Sequence, residues 1–575
     1  MGKIPEGYLP PKELWPTRSY KLPEHQNYPQ KLNSTEELLD KQVAAGKGDR
    51  PAILFEDKKI PYKALLGMAN RLGSSLKALG IEEADRVALR APNIPPALVV
   101  NFAVLKIGGI LLPTSGLFSR VEITHVFNNA EAKAVFVSAA LLDELEKAGP
   151  DLKTVKHIIV IGGTPEQQAH SKQQGYLLYQ ELLDGGKPEC DPVRRDRTDV
   201  SVLLYTSGTT GLPKGAARFM EEALIVPDGF GKYCWQVTES DVILSAAPIS
   251  MAAGYSAVAT IPYRFGAAVS IFPRFTPEGM FEQIKGHKVT ILSALPTAYR
   301  KMLQVPGAEK LYDLSSLRIC TGGGESLTAK TYLDWKAKFG QEIFEGLGTT
   351  EMMFVFISSA ATKKVKAGSI GPAIPGYEVR VVNEEGADCK PGEVGQLIAR
   401  GPTGTVYWRD PEKQRAAVRD GWCRAGDMVS MDADGYVWFL SREDDLIKSS
   451  GYRIGPEEIE DVLVTHPVVA DAGVVGVVDA VMGQRTKAFV QLREGTVPSD
   501  VLRQELIEFC RGKIAVYKLP REVEFVDKVP RAPGPGGPGT GKLLRRLLRQ
   551  REAVAKPPDR RVGPDRRQLP DRRKA

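Results

Sequence analysis

From residue 34 to about 440 the chain alternates two hydrophobic rhythms. Segments such as 35–45 and 62–79 repeat apolar residues every three to four positions, which predicts helices with one buried face. Short β-rich runs at 87–89, 134–137 and 157–161 lie between such segments, and the alternation predicts α/β packing. After residue 368 the rhythm changes. IGPAIPGYEVRVV, GEVGQLIARG and GYVWFLS are short strands separated by Gly/Pro turns, which predicts a small barrel or meander. Beyond 442 the pattern gives a helix at 456–465, strands at 470–478 and 487–492, and a helix at 499–513. That is a compact unit of roughly 110 residues.

The predicted fold class is therefore α/β. A large N-terminal multi-sheet α/β domain with a small distorted barrel spans 1–441, and a small C-terminal α+β domain spans 442–550. From Arg531 the chain reads RAPGPGGPGTGK, a Pro/Gly run that cannot hold a helix or an inner strand. A short basic helix at 542–551 follows, and 551–575 repeats PDRR three times with nothing to bury. That tail is read as disordered and basic.

Composition narrows the function. Of the 575 residues, 42% are hydrophobic and 26% charged, the balance of a soluble globular protein. The net charge of +7 is concentrated at the end, where the last 25 residues hold nine Lys/Arg against four Asp/Glu. The body is nearly neutral, so nucleic acid is not an expected ligand. The six cysteines (Cys190, Cys234, Cys320, Cys389, Cys423, Cys510) show no CxxC pair and no zinc spacing. The opening MGKIPEGYLPP has no apolar signal core. The most apolar window, 97–112, is interrupted by Asn101 and Lys106 and is too short to cross about 30 Å of hydrocarbon. A cytoplasmic enzyme with no integral membrane segment is expected.

The strongest chemical signal is YTSGTTGLPKG at 205–215, directly after the β-rich run 202–204. Five Ser/Thr/Lys donors and three glycines within eleven residues make a loop able to surround a polyphosphate, with Lys214 as a point charge. So dense a set of donors is costly unless something satisfies it. It is not a Walker A loop. The nearest approach to GxxxxGK[ST], at 536–542, is followed by Leu543 where the magnesium-binding hydroxyl belongs.

This string closely resembles the phosphate loop of the AMP-forming adenylate synthetases, the superfamily of acyl-CoA synthetases, nonribosomal adenylation domains and luciferases. The resemblance continues in order through TGGGESL (321–327), EGLGTTEM (345–352), GWCRAGD (421–427), SREDDLIKSSGYRI (441–454) and TGK (540–542). It implies ATP, Mg2+ and coenzyme A as cofactors and a small, mobile C-terminal domain. Thr206, Ser207, Gly208, Thr209, Thr210 and Lys214 would hold the ATP phosphates. Gly323, Gly324 and Glu325 would line the adenine and acyl site, beside the cofactor-binding run Gly346, Leu347, Gly348 and Thr349. Thr350 would contact the α-phosphate, Glu351 would bind magnesium, and Asp427 with Arg442 would hold the ribose hydroxyls. Lys542 would be the catalytic cation between acyl oxygen and α-phosphate. Asp444 matches the hinge, and Gly451 matches the glycine that lets pantetheine pass.

Within the superfamily, EGLGTTEMMFVFISS resembles the benzoate and 2-aminobenzoate CoA ligase branch, and the opening LPPKELWP with YPQKLNSTEELLD is similar to it too. The presumed substrate pocket at 247–257 offers Ala247, Met251, Ala252, Gly254 and Tyr255, with no Asp to pair with an α-amino group. The expectation is an ATP-dependent acid:CoA ligase acting on a benzoate-like acid, with medium-chain fatty acids as the alternative. The rivals are an adenylation module loading a carrier-protein thiol and a binding protein that has lost catalysis. No carrier domain follows Lys542, and Lys214, Glu351, Asp427 and Lys542 are all retained. The longer Pro/Gly run at 532–539 and the PDRR tail depart from the resemblance. A homodimer is left open.

Overall fold

A computed structural model describes residues 4–206, 212–449, 452–479, 482–530 and 544. The two rhythms of the sequence appear as two large sheets. The first runs Lys214–Phe219, Val200–Thr206, Ile110–Pro113, Arg86–Arg90, Ala132–Ser138, His157–Ile161, Leu177–Leu178, parallel except for the edge hairpin formed by the first two strands. The second runs Val355–Ser358, Ile343–Gly348, Ile319–Gly323, Ile291–Ala294, Val242–Ser245, Ala268–Ser270, Pro51–Phe55, Lys58–Pro61. Its inner pairings are parallel and its two edges antiparallel. Parallel strands covered on both faces need near-continuous apolar side chains, which is why HIIVI at 157–161 shows no polar alternation.

One core joins the two sheets. Val87, Leu89 and Phe136 of the first belong to the same buried cluster as Ile243, Val269 and Ile291 of the second. The helix Pro95–Lys106 lies within it, with ten of its twelve residues buried. This explains the apolar window of the sequence: 97–112 is a buried helix followed by the central strand Ile110–Pro113. The expected helix at 62–79 forms as Tyr62–Ala78 and packs on that inner helix. The expected helix at 35–45 is wider-wound, with i→i+5 bonding over Glu36–Asp40 and Val43–Lys47, and Gly46 turns it at φ 82°.

The third sheet is the predicted meander, built from Glu378–Val382, Val394–Arg400, Trp422–Met431, Val418–Arg419 and Val437–Arg442, all antiparallel. After a single turn at Glu443–Asp445 comes the fourth, made of Ile447–Ser449, Tyr452–Ile454, Gly483–Leu492, Val469–Asp479 and Glu522–Phe525. The helices Pro456–Leu463 and Asp500–Cys510 cover it, and Ile459, Leu463, Val474, Val490 and Leu506 form a core of its own. The strand expected at 487–492 begins at Gly483 and pairs with Val469–Asp479 in one long hairpin.

Candidate active site

Ligands in open α/β sheets bind beyond the carboxyl ends of the strands, and the sequence-expected residues cluster there. Val200–Thr206 ends at the phosphate loop, Val242–Ser245 leads to Ala247, Ile319–Gly323 to Gly324 and Glu325, and Ile343–Gly348 to Thr349, Thr350 and Glu351. Gly323 and Gly346 are register partners, and a Cβ on Gly323 would sit 2.8 Å from the Gly346 carbonyl. Two glycine-rich strand ends thus lie flush. At Gly348 a Cβ would fall 2.5 Å from the Phe354 carbonyl, so this corner admits only backbone.

The expected phosphate loop joins the two strands of the edge hairpin. Thr206 pairs with Lys214 across it. The ring of Tyr205 lies against Gly215, where a Cβ would come within 2.9 Å of Cζ. His125 Nε2 is 2.9 Å from the Pro213 carbonyl, and the Trp408 amide donates to the Gly215 carbonyl at 2.8 Å. Ser207, Gly208, Thr209 and Thr210 lie outside the described residues, as do Gly451, Lys542, the 532–539 run and the 551–575 tail. Leu544, two positions beyond Lys542, is buried against Val475 and Phe489. Asp444 lies in the turn that links the third and fourth sheets.

A tight turn presents Thr350 and Glu351. The Met352 amide donates to Thr349 Oγ1 at 3.1 Å, the Met353 amide to the Thr350 carbonyl at 3.2 Å, and Met353 takes φ 70°. Left-handed backbone at a residue with a Cβ costs about 1–2 kcal/mol, so the packing around this turn holds it. Two residues grip Glu351: Tyr407 donates its hydroxyl to Oε1 at 2.7 Å, and Arg218 Nη1 donates to the main-chain carbonyl at 2.8 Å. Burial beside that carboxylate pushes the Tyr407 phenol well above its ordinary value, so the hydroxyl stays a donor.

Asp427 is 1% exposed. Arg442 Nη1 lies 2.5 Å from Oδ1, and Oδ2 finds no hydrogen-bond partner among the described residues. Burial raises the Asp427 carboxyl, Arg442 opposes that rise, and the Glu351 charge adds to it. The last effect places the two acids in one electrostatic neighbourhood. A buried unpartnered carboxylate oxygen is costly, and a hydroxyl donor from a bound sugar would satisfy it.

The remaining expected residues divide. The Glu325 carboxylate accepts from the Thr297 hydroxyl at 2.5 Å and its amide at 3.2 Å, so it is engaged by the start of the helix Pro296–Leu303. In the acid segment, Asn93 accepts from the Ile249 amide at 2.8 Å and donates to the Ala247 carbonyl at 3.0 Å. Gly254 is packed so closely that a Cβ would be 2.0 Å from the Pro248 carbonyl. Ala252 and Tyr255 are buried, and Tyr255 donates to Asn101 at 3.0 Å. Met251 and its neighbour Ala253 keep partial exposure.

Sequence reasoning missed Tyr407, Arg218 and Asn93. Arg218 carried a signal, a charge inside an apolar strand followed by Glu221 and Glu222. Tyr407 and Asn93 carried none, because only folding brings them to the site.

Among the described residues there is no cluster of three or more His, Cys, Asp or Glu side chains able to hold a metal. One carboxylate oriented by a phenol suits magnesium, which keeps waters and phosphate oxygens as its other ligands. Among the described residues no helix is long and apolar enough to cross a membrane.

Residues 39–408 match the family described as AMP-binding enzyme, and 458–533 match the AMP-binding enzyme C-terminal domain. The chain belongs to that family. It is an AMP-forming acid:CoA ligase, working with ATP, magnesium and coenzyme A. The chain is 32% identical over 526 residues to a benzoate–CoA ligase of Thauera aromatica, covering 91% of this chain and 96% of that protein. It is 33% identical over 532 residues to an acetyl-coenzyme A synthetase of Bacillus subtilis, covering 90% of each. Among solved structures, the anthranilate CoA ligase AuaEII in complex with anthranoyl-AMP superposes with a TM-score of 0.85 at 28% identity, covering 92% of this chain and 99% of that one.

Proposed function

We propose that this chain activates an aromatic, benzoate-like carboxylic acid as its adenylate and transfers the acyl group to coenzyme A. A carboxylate oxygen attacks the α-phosphorus of ATP, the bond to the β-phosphate oxygen breaks, and pyrophosphate leaves. The CoA sulfur then attacks the acyl carbonyl and AMP leaves with the bonding pair. The observation that carries the reading is the buried Asp427, with one oxygen held by Arg442 and the other, beside Glu351, without a partner among the described residues.

Each residue has a physical task. Asp427 accepts from the ribose hydroxyls and fixes the nucleotide. Thr206 and Lys214, facing each other across the hairpin, hold the phosphates with Ser207, Gly208, Thr209 and Thr210. Glu351 would hold magnesium, which supplies neutralisation of phosphate charge. Thr350 donates to the α-phosphate. Lys542 offsets the repulsion between the incoming carboxylate and the phosphoryl group, stabilisation placed where charge develops. The turn at Glu443–Asp445, containing Asp444, lets the C-terminal unit swing so that CoA passes Gly451.

The acid preference rests on the segment 247–257, which supplies Ala247, Met251 and Ala252 and no charge, and on the benzoate- and anthranilate-ligating relatives. The six cysteines are free thiols, four of them buried, which suits a reducing, cytoplasmic setting. A panel of acetate, C4 to C12 fatty acids, benzoate and 2-aminobenzoate, assayed for CoA-dependent AMP formation, tests the substrate. The highest kcat/KM should fall on a benzoate, and a preference for acetate or a fatty acid would overturn the aromatic assignment.

A further inference from the structure

Arg218 is buried, and the mechanism above gives it no role. Burying a guanidinium costs several kcal/mol unless its donors and its charge are both met, and here they are met by three separate stretches of chain. Nε donates to the Ala217 carbonyl at 2.7 Å, Nη1 to the Glu351 carbonyl at 2.8 Å, and Nη2 to the Gly404 carbonyl at 2.7 Å. The opposing charge is Glu222, with Oε2 3.5 Å from Nη1. Glu222 Oε1 in turn accepts from Arg18 Nη2 at 2.8 Å, while Arg18 Nη1 donates to Glu221 Oε1 at 2.8 Å. Tyr20 adds its hydroxyl to Glu221 at 2.6 Å.

The strand that bears Arg218 also bears Lys214. Residues two and four apart on a strand share a face, so Lys214–Phe219 carries the phosphate-binding lysine and the grip on Glu351 on one side of one rigid element. The Gly404 stretch is fixed to the same strand by the Ala217 amide on the Val406 carbonyl and the Trp408 amide on the Gly215 carbonyl, each 2.8 Å. That stretch also supplies Tyr407, which holds the Glu351 carboxylate. The main chain and the side chain of Glu351 are therefore both referred to the strand of Lys214.

We propose that Arg218 is a positioning residue that sets Glu351 relative to Lys214, and that the N-terminal segment reinforces it through Arg18 and Glu222. The proposal rests on the reading of Glu351 as the magnesium carboxylate. It assigns the segment around Arg18 and Tyr20 a part in metal–nucleotide binding, exerted through Glu221 and Glu222. A lysine at 218 keeps the charge but cannot reach three divergent carbonyls.

The test uses the full chain carrying Arg218→Lys, Arg18→Gln or Glu351→Gln, with folding checked by circular dichroism. Acid-dependent ATP–pyrophosphate exchange is measured against free magnesium, and thioester formation is measured from supplied acyl-adenylate. Arg218→Lys should raise the magnesium concentration for half-maximal exchange about ten-fold and leave the thioester step within about two-fold, since small misplacements at a reacting centre are expensive. Arg18→Gln should shift it in the same direction, about three-fold, and decides the matter should Arg218→Lys not fold. Equal losses in both half-reactions with no magnesium shift, or no change in either, would overturn the proposal. Should Glu351→Gln alone shift the magnesium dependence, the positioning role falls while the metal reading stands. Should Glu351→Gln leave that dependence at wild type, both fall together.

Discussion

Arg442 and Asp427 face each other across two antiparallel strands, the guanidinium 2.5 Å from one carboxylate oxygen, and the other oxygen is left buried without a partner among the described residues. Arg442 is also the last residue before the turn that leads to the C-terminal unit. On the proposed reading, the nucleotide grip and the start of the hinge share one ion pair. Asp427→Ala should raise KM for ATP and lower kcat/KM by about 10- to 100-fold, the worth of a hydrogen bond to a charged group. KM for the acid should hold. Exchange kinetics with ATP and acid varied separately check this, and equal effects on both substrates would contradict it.

Tyr407→Phe removes one hydroxyl and little volume. The Glu351 carboxylate then loses its 2.7 Å donor, worth about 1.5–3 kcal/mol. A weaker magnesium titration of the exchange reaction, with an unchanged circular dichroism spectrum, is the expected result. An unaltered magnesium titration would show that the phenol does not orient the carboxylate.

Glu345 is a buried carboxyl whose Oε1 accepts from the Leu327 amide at 2.8 Å, and burial pushes it up from 4.5 to about 8. Between those two values the folded chain holds a proton that the unfolded chain has released, so stability falls as pH rises through that window. Glu345→Gln removes the slope. Melting temperatures from pH 5 to 8.5 should decline more steeply in the wild type than in the variant, and parallel curves would refute the assignment.

Gly451→Leu should separate the half-reactions. Acid-dependent exchange should persist while thioester formation collapses, because a side chain there would fill the path assigned to pantetheine. Rapid-quench measurement of adenylate and thioester distinguishes this from a general loss, in which both would fall together.

The legible parts of the sequence were local. The hairpin donors at 205–215 stand consecutively, and the apolar runs at 134–137 and 157–161 mark inner strands because parallel strands need apolar residues on both faces. Asp427 could be named from GWCRAGD, yet its unpartnered oxygen could not, since that depends on Arg442 returning across a sheet. Tyr407 and Arg218 were not legible for the same reason: their hydrogen bonds reach Glu351, 56 and 133 positions away in the chain. The wide-wound helix at 36–47 escaped too, because a periodic pattern gives the buried face and not the hydrogen-bond register.

The central claim is that the innermost phosphorus of ATP is joined to an organic acid at this site before CoA takes part. Exchange of labelled pyrophosphate into ATP without CoA tests it most directly. Benzoate should support the exchange, and Lys542→Ala should lower it by about 10²–10³. Exchange at background with every acid, or undiminished in Lys542→Ala, would contradict the account.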